Sequence, residues 1–187
     1  MSELIDMAMS DGKTAMDNAV DHLKAELAKV RTGKASVGML SGIKVDYFGV
    51  PTPLNQAANL ATPDSKTISI QPWDKSLLST IEQAIFAANL GLTPMNDGEF
   101  IRISIPPMTE ERRFEMVKKA KSLGEEAKVS LRNERQKIMQ VIKSEVKDGL
   151  SEDLGKKKEG NVEGVIKGYV ETIGLLLDAK EKDIMTV

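Results

Sequence analysis

The chain has 187 residues, 41% of them hydrophobic, with 26 Lys and Arg against 28 Asp and Glu and no cysteine. That length holds one ordinary domain or two modest ones. Without cysteine there are no disulfides, thiolate metal sites or cysteine nucleophiles, and a lone His22 nearly excludes a histidine zinc site.

No stretch approaches the roughly eighteen apolar residues of a membrane span. The start, Met1-Ser2-Glu3-Leu4-Ile5-Asp6, is acidic and lacks the regions of a signal peptide or an arginine-rich transit segment. A cytoplasmic protein without a membrane anchor is expected. Charge is unevenly spread: residues 1–30 carry three basic and six acidic side chains, residues 106–148 eleven basic and eight acidic. A polyanion could engage that local excess although the whole chain is slightly acidic.

From about Ser2 to Arg31, Met9, Gly12, Met16, Ala19, Leu23, Leu27 and Val30 recur at helical spacing. Gly12 is either a weak point or a place where another helix comes close. His22 lies beside this seam as a surface or boundary residue. Arg31-Thr32-Gly33-Lys34 ends the helix. Ile43, Val45 and Tyr47 then alternate with polar residues as in a half-exposed strand. Gly49 marks a turn, and Val50-Pro51-Thr52-Pro53-Leu54 is extended. Asn55–Leu60 fits a strand or a turn of helix. A break at Pro63-Asp64 precedes a second alternating strand, Thr67–Ile70. Asp74 or Ser76 caps a helix through Ala88, with Leu77, Leu78, Ile81 and Ile85 on its apolar face. Asn96-Asp97-Gly98 is a turn, followed by Ile101, Ile103 and Ile105 in alternation. Trp73 and Phe100 are expected in the core or at its edge.

Pro106-Pro107 stops that strand, and a long helix follows from Thr109 to Asp148, with Glu110 and Glu111 in its positive first turn. Its seam is Val117, Ala120, Gly124, Ala127, Leu131, Ile138 and Val141, with Glu134 interrupting one turn. Forty residues reach roughly 60 Å, so the helix needs partners of similar length. One is the first helix. The other spans Val162 to about Met185, with Ser151 as an upstream cap and Lys156–Gly160 either inside it or interrupting it. Gly164, Gly168 and Gly174 weaken it by about 1 kcal/mol each, and close helix contact is expected to compensate. The fold class is therefore α+β: a three-helix bundle from residues 1–30 and 106–187, with a small domain of strands and one helix inserted at 31–105. The two crossings, at Arg31-Thr32-Gly33 and Ile105-Pro106-Pro107, form a candidate hinge.

No enzyme constellation stands out. Thr32-Gly33-Lys34 lacks the glycines and the strand–loop–helix order of a phosphate loop. The scattered carboxylates read as solvated helix faces. Lys121, Lys128, Arg132 and Arg135, separated by seven, four and three residues, project within a narrow wedge at about 100° per residue, clear of Leu131. Arg112, Arg113, Lys118 and Lys119 add charge near the helix start, while Glu125 dilutes the stripe. Such a stripe can grip phosphates, meet another protein, or merely keep the helix soluble, and all three readings stay open here.

Several runs together resemble the ribosome recycling factor family. They are Val30-Arg31-Thr32-Gly33-Lys34-Ala35; Ile43 through Gln56 (IKVDYFGVPTPLNQ); Ile70-Gln71-Pro72-Trp73-Asp74-Lys75-Ser76; Leu90 through Gly98 (LGLTPMNDG); Ile105 through Arg113 (IPPMTEERR); and Lys180 through Met185. The resemblance implies an L-shaped molecule of tRNA-like dimensions, a three-helix bundle hinged to a β/α/β domain. It also implies a function without catalysis or cofactor: splitting the post-termination ribosome together with a GTP-driven translocase elongation factor, after which an initiation factor prevents reassociation. Expected partners are thus the ribosome with its large-subunit RNA and that elongation factor, with a monomer as the acting form. The family's RNA-binding arginines correspond to Arg132, with Arg135 beside it, and its basic junction residue to Arg31; Lys128 and Lys121 come from the stripe. Glu134 and Gln136 replace an apolar and a basic residue usual in the family, and the carboxylate is expected to weaken the field around Arg132 and Arg135. Val165-Ile166-Lys167-Gly168 replaces a more polar segment. The rival reading is a structural adaptor whose bundle binds a protein helix.

Overall fold

The computed structural model describes residues 3–186, so the expected helix start at Ser2 and the terminal Val187 lie outside it. The chain divides into two compact units, one made of residues up to Val30 together with Glu111–Thr186, the other of Arg31–Glu110.

The first unit contains three long helices, α1 (Glu3–Lys29), most of α4 (Glu110–Lys147) and α5 (Glu152–Met185), while the short α2 (Leu54–Ala57) and α3 (Leu78–Ala87) fall in the second unit. Their apolar stripes bury one another, because an amphipathic helix gains stability mainly through its packed face. Ile5, Met16, Leu131, Ile138, Ile142, Val162, Ile173 and Ile184 are almost wholly removed from solvent. The seam of α1 runs through Val20 rather than Ala19, and that of α4 closes on Ile142 rather than Val141. In each case the larger of two adjacent apolar residues is the more buried. The helix directions follow from contacts. Lys158 on α5 bonds to Asp6, and Tyr169 to Asp17, so α1 and α5 run parallel. The ion pair of Arg135 with Glu163 and the packing of Gly124 on Leu177 make α4 antiparallel to α5.

Lys156–Gly160 lies within α5, which is unbroken. Between α4 and α5 the chain turns in four residues. Gly149 takes φ 111°, Leu150 is buried and its N–H donates to the Glu145 carbonyl (2.9 Å), and the Ser151 Oγ accepts from the Leu154 N–H (3.3 Å). These bonds satisfy helix-end groups that would otherwise be orphaned.

The expected contacts at Gly164, Gly168 and Gly174 are not there: nothing lies within 4 Å of where a Cβ would sit. Close approach occurs instead at Gly12, against Ile138, at Gly155, against Val146, and at Gly124. A Cβ on Gly124 would meet the whole fork of Leu177, with Cγ at 3.1 Å and both methyls nearer. Gly164, Gly168 and Gly174 are thus uncompensated entropy losses, whereas Gly124 lets a leucine sit directly on the α4 backbone.

The second unit carries a hairpin, β1 (Lys44–Tyr47) with β2 (Val50–Pro53), and a four-stranded antiparallel sheet in the order β3-β4-β6-β5. Its strands are β3 (Ala58–Asp64), β4 (Thr67–Pro72), β5 (Pro94–Asn96) and β6 (Ile101–Ser104). Asn55–Leu60 is split between a short helix α2 (Leu54–Ala57) and the start of β3. No break falls at Pro63, because β3 is an edge strand, where a missing N–H is tolerated; its pairing is irregular between Ala61 and Asp64. Ile68 faces Ile103 and Ile70 faces Ile101 across the central pair. All four are fully buried, with Ile81 and Ile85 of α3 (Leu78–Ala87) in the same core. Asp74 initiates the 3₁₀ turn before α3 by accepting from the Ser76 N–H (2.9 Å), and this bond holds its carboxyl below the usual range.

Trp73 departs from expectation. It is 68% exposed, its indole N–H donating to the Gln56 carbonyl (3.0 Å). Burial in β4 falls on Ile68, Ile70 and Pro72, so the next position points away from the core. Phe100 is half-buried.

Two predictions follow from the bundle contacts. Gly124→Ala is expected to lower stability by about 1–2 kcal/mol through overpacking against Leu177, whereas Gly168→Ala raises it by up to about 1 kcal/mol through helix propensity; urea unfolding of both variants reads the opposite signs. The Tyr169 hydroxyl donates to Asp17 (2.6 Å), and this bond raises its pKa to about 12. Because the folded pKa lies above an unfolded value of about 10, the contribution is complete below pH 10 and disappears as pH rises towards 12. Tyr169→Phe is expected to cost about 1 kcal/mol at neutral pH and to remove that part of the alkaline loss, as measured by unfolding at pH 8 and pH 11.

Candidate nucleic-acid interface

The basic stripe of α4 is built on a helix of 38 residues whose other side is fixed by the bundle core. Lys121 and Arg135 lie on the side of α4 that meets α5, and Arg132 is exposed next to the buried Leu131. Lys121 reaches Glu181 at 3.4 Å, and Arg135 is bound to Glu163, its Nε–H donating to Oε1 at 2.8 Å and a second N–H to the same oxygen. This carboxylate raises the Arg135 pKa, first through the hydrogen bonds and then through charge, with Glu159 adding a smaller attraction. Lys128 pairs with Glu125 on its own helix at 3.1 Å. Arg132 is exposed and is the one stripe residue without an ion-pair partner among the described residues.

The other cations divide by role. Arg113 is half-buried and donates to the carbonyls of Ile184 and Met185 (3.4 Å each), so it closes the C-terminal end of α5 instead of adding to a free basic surface. Lys118 and Lys119 are exposed. Arg31 lies in the second unit, where its guanidinium donates to the Leu90 carbonyl (2.6 Å). Ile105 is buried in that unit's core, and its N–H donates to the Lys66 carbonyl (2.7 Å); Gly33 takes φ 77° beside Met108, and Thr32 is half-buried. Pro106 and Pro107 are exposed and outside any regular element.

Glu134 is paired within its own helix. Its carboxylate accepts from Lys137 (2.6 Å), is 19% exposed, and lines an open groove of about 610 Å³ between α1 and α4 with His22 and Asn18. The acidic group that meets Arg135 is Glu163. It lines a second open groove, about 720 Å³, between α4 and α5, with Arg135, Lys143, Lys156 and Glu159. Glu163 escaped the sequence reading because it is 28 positions from Arg135. The signal for it was the bundle register, which sets residues near 163 opposite residues near 135 once α4 and α5 are antiparallel.

Both grooves are shallow, and the described residues contain no group of three or more His, Cys, Asp or Glu able to hold a metal ion. Among the described residues, no helix is long and apolar enough to cross a membrane. What the face offers is a row of guanidinium and ammonium groups on a rigid support, a phosphate-binding chemistry.

A family model described as ribosome recycling factor matches residues 23–185. The chain is 46% identical to the ribosome-recycling factor of Christiangramia forsetii over 183 residues, 98% of each chain, and 44% identical to that of Flavobacterium johnsoniae over 187 residues, the whole of each. Among solved structures, it is similar to a solution structure of the ribosome recycling factor, with TM-score 0.81, 36% identity and 98% of both chains covered. It is also similar, with TM-score 0.67, 34% identity and 97% and 99% of the two chains covered, to a structure from a set of models of the Thermus (T. thermophilus) ribosome recycling factor and the E. coli elongation factor G bound to the E. coli post-termination complex. The three-helix bundle and the small β-containing unit match that fold. On these grounds the chain belongs to the ribosome recycling factor family, non-catalytic proteins that return the post-termination ribosome to another round of translation.

Proposed function

We propose that the bundle docks on large-subunit ribosomal RNA through the α4 flank centred on Arg132, with Arg135, Lys128 and Lys121 on either side and Arg31 as an outlying contact. The observation that carries this reading is the exposed, uncommitted guanidinium of Arg132 on a helix anchored along its length by the bundle core. A rigid support lets a force applied elsewhere reach the contact without being lost in bending.

The chain crosses between its two units near Arg31 and again near Glu110. Arg31-Thr32-Gly33 and Ile105-Pro106-Pro107 are the hinge in this reading. Its support is that the second crossing, from Pro106 to Thr109, has no regular secondary structure. The small unit is then the part on which a GTP-driven translocase acts, as elongation factor G accompanies the similar Thermus protein. The nucleotide of that motor supplies the work. The chain itself would act as a cytoplasmic monomer without a cofactor, and an initiation factor would keep the separated subunits apart.

Arg132→Ala is expected to weaken ribosome binding about tenfold and to lower the slope of log affinity against log salt by about 1, with helical circular dichroism unchanged. Equal affinity and slope for both proteins would remove Arg132 from the interface, and binding indifferent to salt would favour the protein-adaptor reading. Splitting of post-termination ribosomes, measured with and without elongation factor G and GTP, tests the activity itself.

A further inference from the structure

Three of the four stripe cations are already neutralised within the molecule, but not in equivalent ways. Glu125 is three residues from Lys128 on the same helix and moves with it. The Lys121–Glu181 contact is long, the ammonium lying 3.4 Å from each carboxylate oxygen. Only Arg135 is gripped from another helix by two N–H donors on one carboxylate oxygen. Those donors are the ones a guanidinium turns to a phosphate. The pair is open to water, with side chains 43% and 51% exposed, so the protein surface does not lock it shut. On the same groove, Lys143 and Lys156 are exposed and have no ion-pair partner among the described residues.

We propose that Glu163 is an internal competitor for the phosphate-binding fork of Arg135, so that the α4 face engages RNA fully only by exchanging this ion pair for an external one. The proposal rests on the reading of that face as an RNA interface and adds a residue that sets how tightly it binds. A dense polyanion such as ribosomal RNA can win the exchange, because each phosphate contact also releases condensed counterions. An isolated anion, lacking that gain, leaves the Arg135–Glu163 pair closed. Glu163 would thereby discourage weak, scattered attachment to other anions while sparing the intended target. Arg132, one turn away, would make the first contact.

The test uses the full-length protein and variants E163Q, R135A, E163Q/R135A and R132A, with binding to purified ribosomes measured across a salt series. E163Q is expected to tighten binding about threefold at moderate salt, the scale of an exposed ion pair. It should leave the salt slope near the wild-type value, because Arg135 meets the phosphate in both proteins, whereas R135A should lower the slope by about 0.7–0.9, one phosphate contact fewer. That gain in affinity should vanish in E163Q/R135A. Unchanged binding by E163Q overturns the proposal, as does a gain that survives R135A, since the effect would then be general loss of negative charge. R132A reads the interface separately: its failure to weaken binding would count against the proposed docking surface, while the four-way comparison of Glu163 and Arg135 would still decide the competition. Circular dichroism on each variant verifies the fold, which an exposed, near-isosteric Glu163→Gln change should leave intact.

Discussion

Mutual burial of three amphipathic stripes governs the first unit, and its decisive point is where Leu177 sits on the bare backbone of Gly124. No polar side chain is buried among the described residues, so directional bonds in the core do not choose the register. Shape chooses it. Once Gly124 receives Leu177, the antiparallel geometry carries Lys121 towards Glu181 and Arg135 towards Glu163. The electrostatic character of the exposed flank is therefore a by-product of apolar packing. Surface ion pairs of this kind contribute little to stability, and their importance lies in which cations they leave unoccupied.

The second unit is held by a different economy of contacts. Its isoleucines pair across β4 and β6, and its turns are closed locally by side chains. Asp97 accepts from the N–H groups of Phe100 (2.7 Å) and Glu99 (3.0 Å), which keeps its carboxyl below the ordinary range, and Asp46 accepts from Gly49 (2.6 Å). In the β1–β2 turn, Phe48 takes φ 51° and is 77% exposed. A large apolar residue in that conformation costs free energy, and its ring gains only an edge contact with Tyr47. With Trp73 also on the surface, this unit presents aromatic area that its own core does not use.

Sequence periodicity carried most of the helical unit, because a seam repeats over many turns and single errors average out. Ala19 against Val20 and Val141 against Ile142 differ by one position, which shifts the angle without changing the face. The glycines were harder. Gly12, Gly124 and Gly164 look alike in a linear string, and only the partner helix distinguishes a required gap from an empty surface. Trp73 shows the opposite limit: composition argues for burial, but strand parity and an available carbonyl on Gln56 decided otherwise. At the basic flank, Arg132 was legible from spacing on its own helix. Glu163 was not, since its relation to Arg135 exists only after two helices have found their register.

The parallel course of α1 and α5 has a further consequence. Asp6 touches Lys158 near the start of both helices, while Ile184 and Met185 lie against Arg113 at the far end. With 34 residues in α5, Glu3 and Met185 are separated by roughly 50 Å of helix length. Compact domains usually keep their ends close together; this one does not. A linker joining Glu3 directly to Met185 would have to span nearly the whole length of α5, and reporter groups attached at these two positions would stand at opposite ends of the bundle.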